Sequence, residues 1–241
     1  MSRATAWVRS AGDTVSTCHV LGAHTGSAAL EQSVLACQSG RSQMRATGEC
    51  EEVLFVLSGE GVLHLDGERH ALAPESGAYL APGESYELET TGPDPMRLVA
   101  VQMPAPSGPA ARARAVVRRL ADQESAAATT EREFRIVADP ATGLRSATHF
   151  VGYIPPVRAP EHFHTYDEVI YVLDGEGLMH VGGAHHPLPA GSSIQLPART
   201  VHCLENTTDG VMRVVAVFRP AGSPAAAYYP DGTPAYAADP R

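Results

Sequence analysis

The apolar residues of this chain fall in short runs rich in β-branched and aromatic side chains, each closed by turn residues. Val53–Leu57 runs into Ser58-Gly59-Glu60-Gly61, and Val169–Leu173 runs into Asp174-Gly175-Glu176-Gly177. Such runs read as strands followed by tight turns. Asp66-Gly67 and Gly182-Gly183 mark further hairpins, and Pro82-Gly83 and Pro197-Ala198 each separate two more strands. Many short strands with turns at regular spacing predict a sandwich or barrel. The exception is the stretch 109–128, which contains ARARAVVRRLADQESAAA and predicts a connector helix.

A repeat organises these strands. The segment EEVLFVLSGEGVLHLDGERHALAPESGAYLAPGE, beginning at Glu51, returns as DEVIYVLDGEGLMHVGGAHHPLPAGSSIQLPAR, beginning at Asp167. Glu52 aligns with Glu168, Gly59 with Gly175, Gly61 with Gly177 and His64 with His180. At the same offset MRLVAVQMP from Met96 aligns with MRVVAVFRP from Met212. A duplication accounts for this. It predicts a first barrel over 1–104, a connector over 105–130, a second barrel over 131–220 and a tail over 221–241. In the Pro/Gly-rich tail, Tyr228, Tyr229 and Tyr236 either pin it to a barrel or belong to a disordered end.

Composition narrows the function. At 241 residues the chain can bury a core in either one domain or two. Its formal net charge of −9 argues against a nucleic-acid or anionic-membrane surface. The basic cluster Arg112, Arg114, Arg118 and Arg119 reads as a solvated helix or linker. No run reaches the ~18 apolar residues of a membrane span, and the first residues lack the apolar stretch of a signal peptide. A cytoplasmic protein is expected, with Cys18, Cys37, Cys50 and Cys203 as reduced thiols. No helix-turn-helix, phosphate loop or dinucleotide fingerprint is visible.

The candidate chemistry sits in the second copy. His162 and His164, two apart, share one face of a strand. Glu168 follows after three intervening residues, and His202 comes just beyond the Pro197 turn. Imidazoles with one carboxylate form a mixed nitrogen and oxygen set suited to divalent first-row metals, and an open position makes such a site catalytic in type. His149, His180, His185 and His186 read as surface or structural residues.

These residues resemble the two motifs of the cupin superfamily. His162, His164, Glu168 and Gly175 match G-x5-H-x-H-x3or4-E-x6-G, with Gly152 as a distant leading glycine. Gly191, Pro197, His202 and Asn206 match G-x5-P-x-G-x2-H-x3-N, with Arg199 in place of the middle glycine. The resemblance implies an all-β chain of two tandem jelly-roll barrels, with one metal held by His162, His164, Glu168 and His202. In the first copy Ala46 and Gly48 replace the two imidazoles, and either Tyr86 or Glu87 takes the place of His202. Its metal site is broken. The acidic run Glu49, Cys50, Glu51 and Glu52 reads as a solvated turn. A degenerate first barrel that supports, covers or pairs is what the resemblance implies.

The reaction expected from the resemblance is an Fe(II) dioxygenase acting on a small molecule, possible also as a homodimer. A non-redox Mn, Ni, Co or Zn isomerase, lyase or hydrolase is the alternative, and a non-catalytic metal- or ligand-binding cupin is the third. Ureidoglycine aminohydrolases are similar in length, but their E-x-H-x3-H motif exchanges two ligand types relative to this chain. Tyr153, Tyr166, Tyr171, Gln195, Arg199 and Arg213 are candidates for contacting substrate; Cys203, beside a ligand, is expected to face away from the metal.

Overall fold

A computed structural model describes residues 6–27, 29–108, 114–129 and 131–235. Arg112 and Tyr236 lie outside these. The chain forms two compact units, Met1–Asp122 with Val137–Ser146, and Gln123–Ile136 with Ala147–Arg241. Both are all-β.

In the first unit one sheet has the order Val15–Leu21, Glu31–Cys37, Met96–Pro104, Cys50–Ser58, Ser76–Leu80, Val117–Arg119. The second sheet runs Gly40–Arg41, Ser85–Thr90, Gly61–Leu65, Glu68–Leu72, with Arg45–Ala46 also on Ser85–Thr90. Leu35, Leu54, Val56, Leu63, Leu88 and Leu98 fill the space between them. They come from alternate positions of their strands, as period-2 burial requires.

The second unit repeats this order. Ala126–Ala127, Glu133–Ala138, Thr148–Ile154, Met212–Arg219, Asp167–Asp174 and Ser193–Leu196 make the larger sheet, and Ala184–Pro189, Glu176–Val181 and His202–Asn206 the smaller. Its core uses Ile170, Val172, Met179, Leu188, Leu204 and Val214. Even the register is shared: Val99 faces Phe55 as Val215 faces Tyr171, and Gly61 faces Thr90 as Gly177 faces Asn206.

Two details explain why the Gly-Glu-Gly turn occurs in both copies. A Cβ on Gly61 would lie 2.3 Å from the Glu89 carbonyl oxygen and one on Gly177 2.4 Å from that of Glu205. Gly59 and Gly175 adopt φ of 77° and 82°, and there a Cβ would meet the backbone of Met96 or Met212. The turn is therefore pressed onto a buried methionine at the head of the last strand, and only hydrogen fits in the gap. Beside it, the His64 ring bonds Glu89 at 2.7 Å and the His180 ring bonds Glu205 at 2.7 Å. These histidines brace a strand pair, a structural role for His180 in keeping with its counterpart in the copy that lacks the ligands.

Three expectations are corrected. The connector forms no α-helix among the described residues: Val117–Arg119 is a strand added to the edge of Ser76–Leu80, followed by a single 3-10 turn at Leu120–Asp122. The β-branched Val116-Val117 pair and an open sheet edge outweigh the helical period. Of the basic cluster, Arg114 pairs with Glu84 and stands over the Tyr79 ring, and Arg118 donates to the Val137 carbonyl. The acidic run opens the strand Cys50–Ser58, and Glu51 is fully buried. Its carboxylate accepts from the Tyr79 hydroxyl and from the amides of Arg145 and Ser146, all at 2.9 Å, so the charge is solvated by the protein. His149 is buried, and desolvation pulls it down to about 3.

All four cysteines are free. Among the described residues no helix is long and apolar enough to cross a membrane.

Replacing Gly177 with Ala should cost about 1–3 kcal/mol of overpacking strain. Urea denaturation of the variant measures it, and a midpoint equal to wild type would show that the turn relaxes freely.

Candidate metal centre

The inner face of the second unit combines a mostly apolar lining with a few polar side chains. Glu168 registers with Leu196 and Phe218, and its side chain shares a face with Ile170 and Val172. That face bounds a cavity of about 90 Å3, onto which His162, His164, Glu168, His202 and Arg132 open among apolar neighbours.

Backbone pairing sets the histidines. His162 and His202 exchange two amide-to-carbonyl bonds of 3.0 and 2.8 Å, so their side chains rise from the same side of one bridge. His164, two residues on, shares the face of His162, and its carbonyl accepts from the Arg199 amide at 2.7 Å. The ligand atoms of all three lie within 4.8 Å of one another.

The orientation of each ring is fixed from behind. His162 Nδ1 lies 2.8 Å from the Pro160 carbonyl, His202 Nδ1 2.8 Å from that of Thr200, and His164 Nδ1 2.8 Å from that of Ala226. A carbonyl only accepts, so each Nδ1 carries the proton and donates it. Each Nε2 is left with a lone pair. Burial, aided by Arg132, holds His162 below its ordinary value; burial, aided by the neighbouring His162 ring more than by Arg132, holds His164 down at about 4 and His202 at about 3. Three neutral imidazoles with converging lone pairs and carbonyl-fixed tautomers are the donor set of a divalent metal. The residues fit the ion.

Glu168 borders the same cavity but is outside the three-histidine group. Burial raises its carboxyl to about 8, with Arg132 pulling the other way. Behind the centre, the His164, Tyr166 and Phe218 rings stack at centroid spacings of 4.7 and 3.9 Å, which fixes the plane of His164.

Two contributions were not legible in the motifs. The tail lies along the His162–His164 segment: Phe163 and Tyr228 exchange backbone bonds of 2.8 and 2.9 Å and stack their rings. That docking carries the Ala226 carbonyl to His164. Of the two tail readings the pinned one holds over the described residues. Arg132, assigned only to the start of the second barrel, reaches the cavity, where burial lowers it to about 10. A backbone carbonyl leaves no sequence signal, and a lone arginine leaves a weak one.

The other candidates are scattered. Tyr153 and Tyr166 border the cavity. Tyr171 follows Ile170 and so turns to the opposite face, its hydroxyl beside Gly191. Gln195 registers with Val169, also on that opposite face. Arg199 is exposed and stands over the Phe163 ring at 6.0 Å, with φ of 65° in the turn where Gly83 of the first copy has 82°. Arg213 forms an ion pair with Asp174 at 2.6 Å. Strand parity removes Tyr171 and Gln195 from the cavity, and partners outside it hold Arg199 and Arg213. Cys203 faces away from the centre and donates to the Ala159 carbonyl.

The first unit shows what replaces the ligands. Tyr86 registers with Leu65 as His202 registers with Val181, so Tyr86, not Glu87, is its counterpart. Its hydroxyl donates to Glu52 at 3.1 Å and accepts from Arg45 Nε at 3.4 Å. A guanidinium and a phenol occupy the region that the imidazoles take in the second copy. Among the described residues only His162, His164 and His202 form a group able to hold a metal.

Acid should destabilise the metal-free protein. His149, His162, His164 and His202 are held below the ordinary value of 6.5, so an unfolded chain binds protons there that the folded one does not, and stability falls as pH drops toward 4. Glu168 has the opposite sign: raised from 4.5 to about 8, it loses its stabilising contribution as pH rises through that window. Urea midpoints should therefore peak near pH 6.5, with a steeper fall on the acid side, where four rings oppose two raised carboxyls, Glu168 and the buried Glu52. A midpoint that climbs from pH 6.5 down to about 5 would contradict this assignment. Deleting 224–241 removes the Ala226 carbonyl and should weaken metal affinity about 10–100-fold, read by competition with a chromophoric chelator. Unchanged affinity would exclude the tail from the centre.

Known proteins place the chain. The Cupin domain model matches residues 39–102 and 150–218, more than half of the sequence. No curated protein matches. Among solved structures, AerE from Microcystis aeruginosa is 14% identical, with 89% of this chain and 96% of that chain covered at a TM-score of 0.73. The putative glyoxylate induced protein from Pseudomonas aeruginosa is 18% identical, covering 88% and 80% at 0.71. A mutant of Bacillus subtilis oxalate decarboxylase OxdC is 13% identical, covering 89% and 75% at 0.71. At these identities the likeness is one of fold. With both matched segments falling on the two repeated units, the chain belongs to the cupin family and is a bicupin.

Proposed function

We propose that the protein is a metal-dependent enzyme acting on a small molecule, with its single reaction centre in the second barrel. The observation that carries this reading is the triad of neutral imidazoles whose Nδ1 protons are all committed to backbone carbonyls. His162, His164 and His202 would hold one divalent ion, and Glu168 would complete the set from the cavity wall. Three nitrogens and one oxygen suit Fe(II), which favours a dioxygenase. Bound there, Fe(II) would supply one-electron chemistry toward O2. The protein's own part is to keep the rings neutral, exclude bulk water with the apolar wall and confine the substrate to a small cavity.

A second reading, favoured by the position of Glu168 outside the three-histidine group, is non-redox. There Mn, Ni, Co or Zn would polarise a substrate carbonyl, and Glu168 would be free to move a proton. The oxalate decarboxylase among the similar structures is in keeping with a lyase. A carboxylate that belongs to the metal and one that belongs to the substrate differ in what their loss does. Glu168→Gln should lower metal affinity in the first reading and leave it intact in the second.

Anaerobic loading with Fe(II), then O2 uptake across a panel of small substrates, tests the dioxygenase directly. Uptake above the buffer rate is expected; stoichiometric Mn or Zn in the natively purified protein, without uptake, would transfer the assignment to the non-redox reading. His164→Ala should abolish stoichiometric metal binding in either reading, and a variant that keeps its metal would remove the site assignment.

A further inference from the structure

Arg132 is a cavity residue to which the metal centre gives no task. It lies between the strands Ala126–Ala127 and Glu133–Ala138, and opens onto the same space as His162, His164, Glu168 and His202. One terminal nitrogen, Nη2, donates to the Leu204 carbonyl and so ties the arginine in place. Its Nε is shut away from solvent and has no acceptor in the protein. A buried donor left unmatched is costly, and a guanidinium cannot escape that cost by losing its proton. Glu168 acts on it through space, as the mutual effect on their acidities shows, without a hydrogen bond between them.

We propose that Arg132 anchors the carboxylate of a small, otherwise apolar substrate; the proposal rests on the cavity being the reaction site. A planar fork of donors is matched by a planar pair of acceptor oxygens. With a divalent ion on the histidines, the cavity would carry a net positive charge even after Glu168 is counted, and a carboxylate lowers it. A phosphate, bulkier, would call for further donors, whereas most of the remaining lining is apolar, Phe134, Phe150, Ile170, Met179 and Val214 among it, with Tyr153 and Tyr166 among the exceptions. Those apolar side chains fit the body of a short-chain acid, and a cavity of about 90 Å3 is of a size to hold one. A carboxylate held by Arg132 has its carbon chain confined between that wall and the three histidines, so the arginine also fixes which end of the molecule reaches the metal.

The test uses the full-length chain, metal-free and loaded with Co(II), titrated with propanoate, butanoate and pentanoate and with the matching neutral amides, binding being followed by ligand-observed NMR and calorimetry. The acids should bind the loaded protein at least about tenfold tighter than their amides, the discrimination expected for charge-assisted hydrogen bonds. Arg132→Met should remove that preference while leaving the amide affinity and the cobalt content unchanged. Arg132→Lys, which keeps the charge and loses the fork, should fall between. Equal binding of acid and amide by wild type, or no acid binding at all, would overturn the proposal, and that comparison needs no variant to fold. Acid preference retained in Arg132→Met would overturn it too. If Co(II) does not bind stoichiometrically but the metal-free chain still prefers acids through Arg132, the anchor stands and the metal reading falls.

Discussion

The second barrel's chemistry depends on where three imidazole protons go. Each Nδ1–H is donated to a main-chain carbonyl, from Pro160, Thr200 and Ala226. Burial would otherwise leave each ring free to choose its tautomer or to turn, and a lone pair that is not aimed contributes little to a metal. Two of those carbonyls lie two residues before the histidine they serve, in chain constrained by the His162–His202 bridge. The third comes from the tail, which is itself held by the Phe163–Tyr228 pairing. The metal centre is thus an outcome of strand pairing as much as of residue identity.

The duplication makes the same point by contrast. Both units keep the pressed Gly-Glu-Gly turn, the buried methionine beneath it and the His–Glu brace, so the scaffold tolerates little change there. The mouth diverges. Where the second unit collects neutral imidazoles, the first unit has Arg45 against the Tyr86 hydroxyl and the buried Glu52 carboxyl. A fixed cation on the protein answers the shared glutamate there without a metal, and Tyr86 fills the volume of a histidine. One framework therefore gives one metal-type group per chain among the described residues.

Much of this was written in the sequence, because period-2 runs, turn glycines and a long internal repeat are local signals with strict steric causes. The two-barrel organisation follows from them, whereas the grouping of His162, His164 and His202 was what the resemblance to the cupin motifs implied. What was hidden depends on partners distant in sequence. The strand at Val117–Arg119 forms because the edge of Ser76–Leu80 is open. Glu51 is buried because amides at Arg145 and Ser146 meet it, which no acidic run reveals. Tyr171 and Gln195 had the right chemistry on the wrong side of a strand. Arg132 and Ala226 reach the centre from outside both motifs, one with a side chain that has many innocent roles, the other with a main-chain oxygen.

The central claim is that one divalent ion sits on three imidazoles in the second barrel. X-ray absorption on protein reconstituted with Zn or Co examines it directly. The expected spectrum has a first shell of nitrogen and oxygen at about 2.0–2.1 Å, with outer-shell scattering from three histidine rings. A shell with sulfur at about 2.3 Å, or one without imidazole scattering, would contradict it.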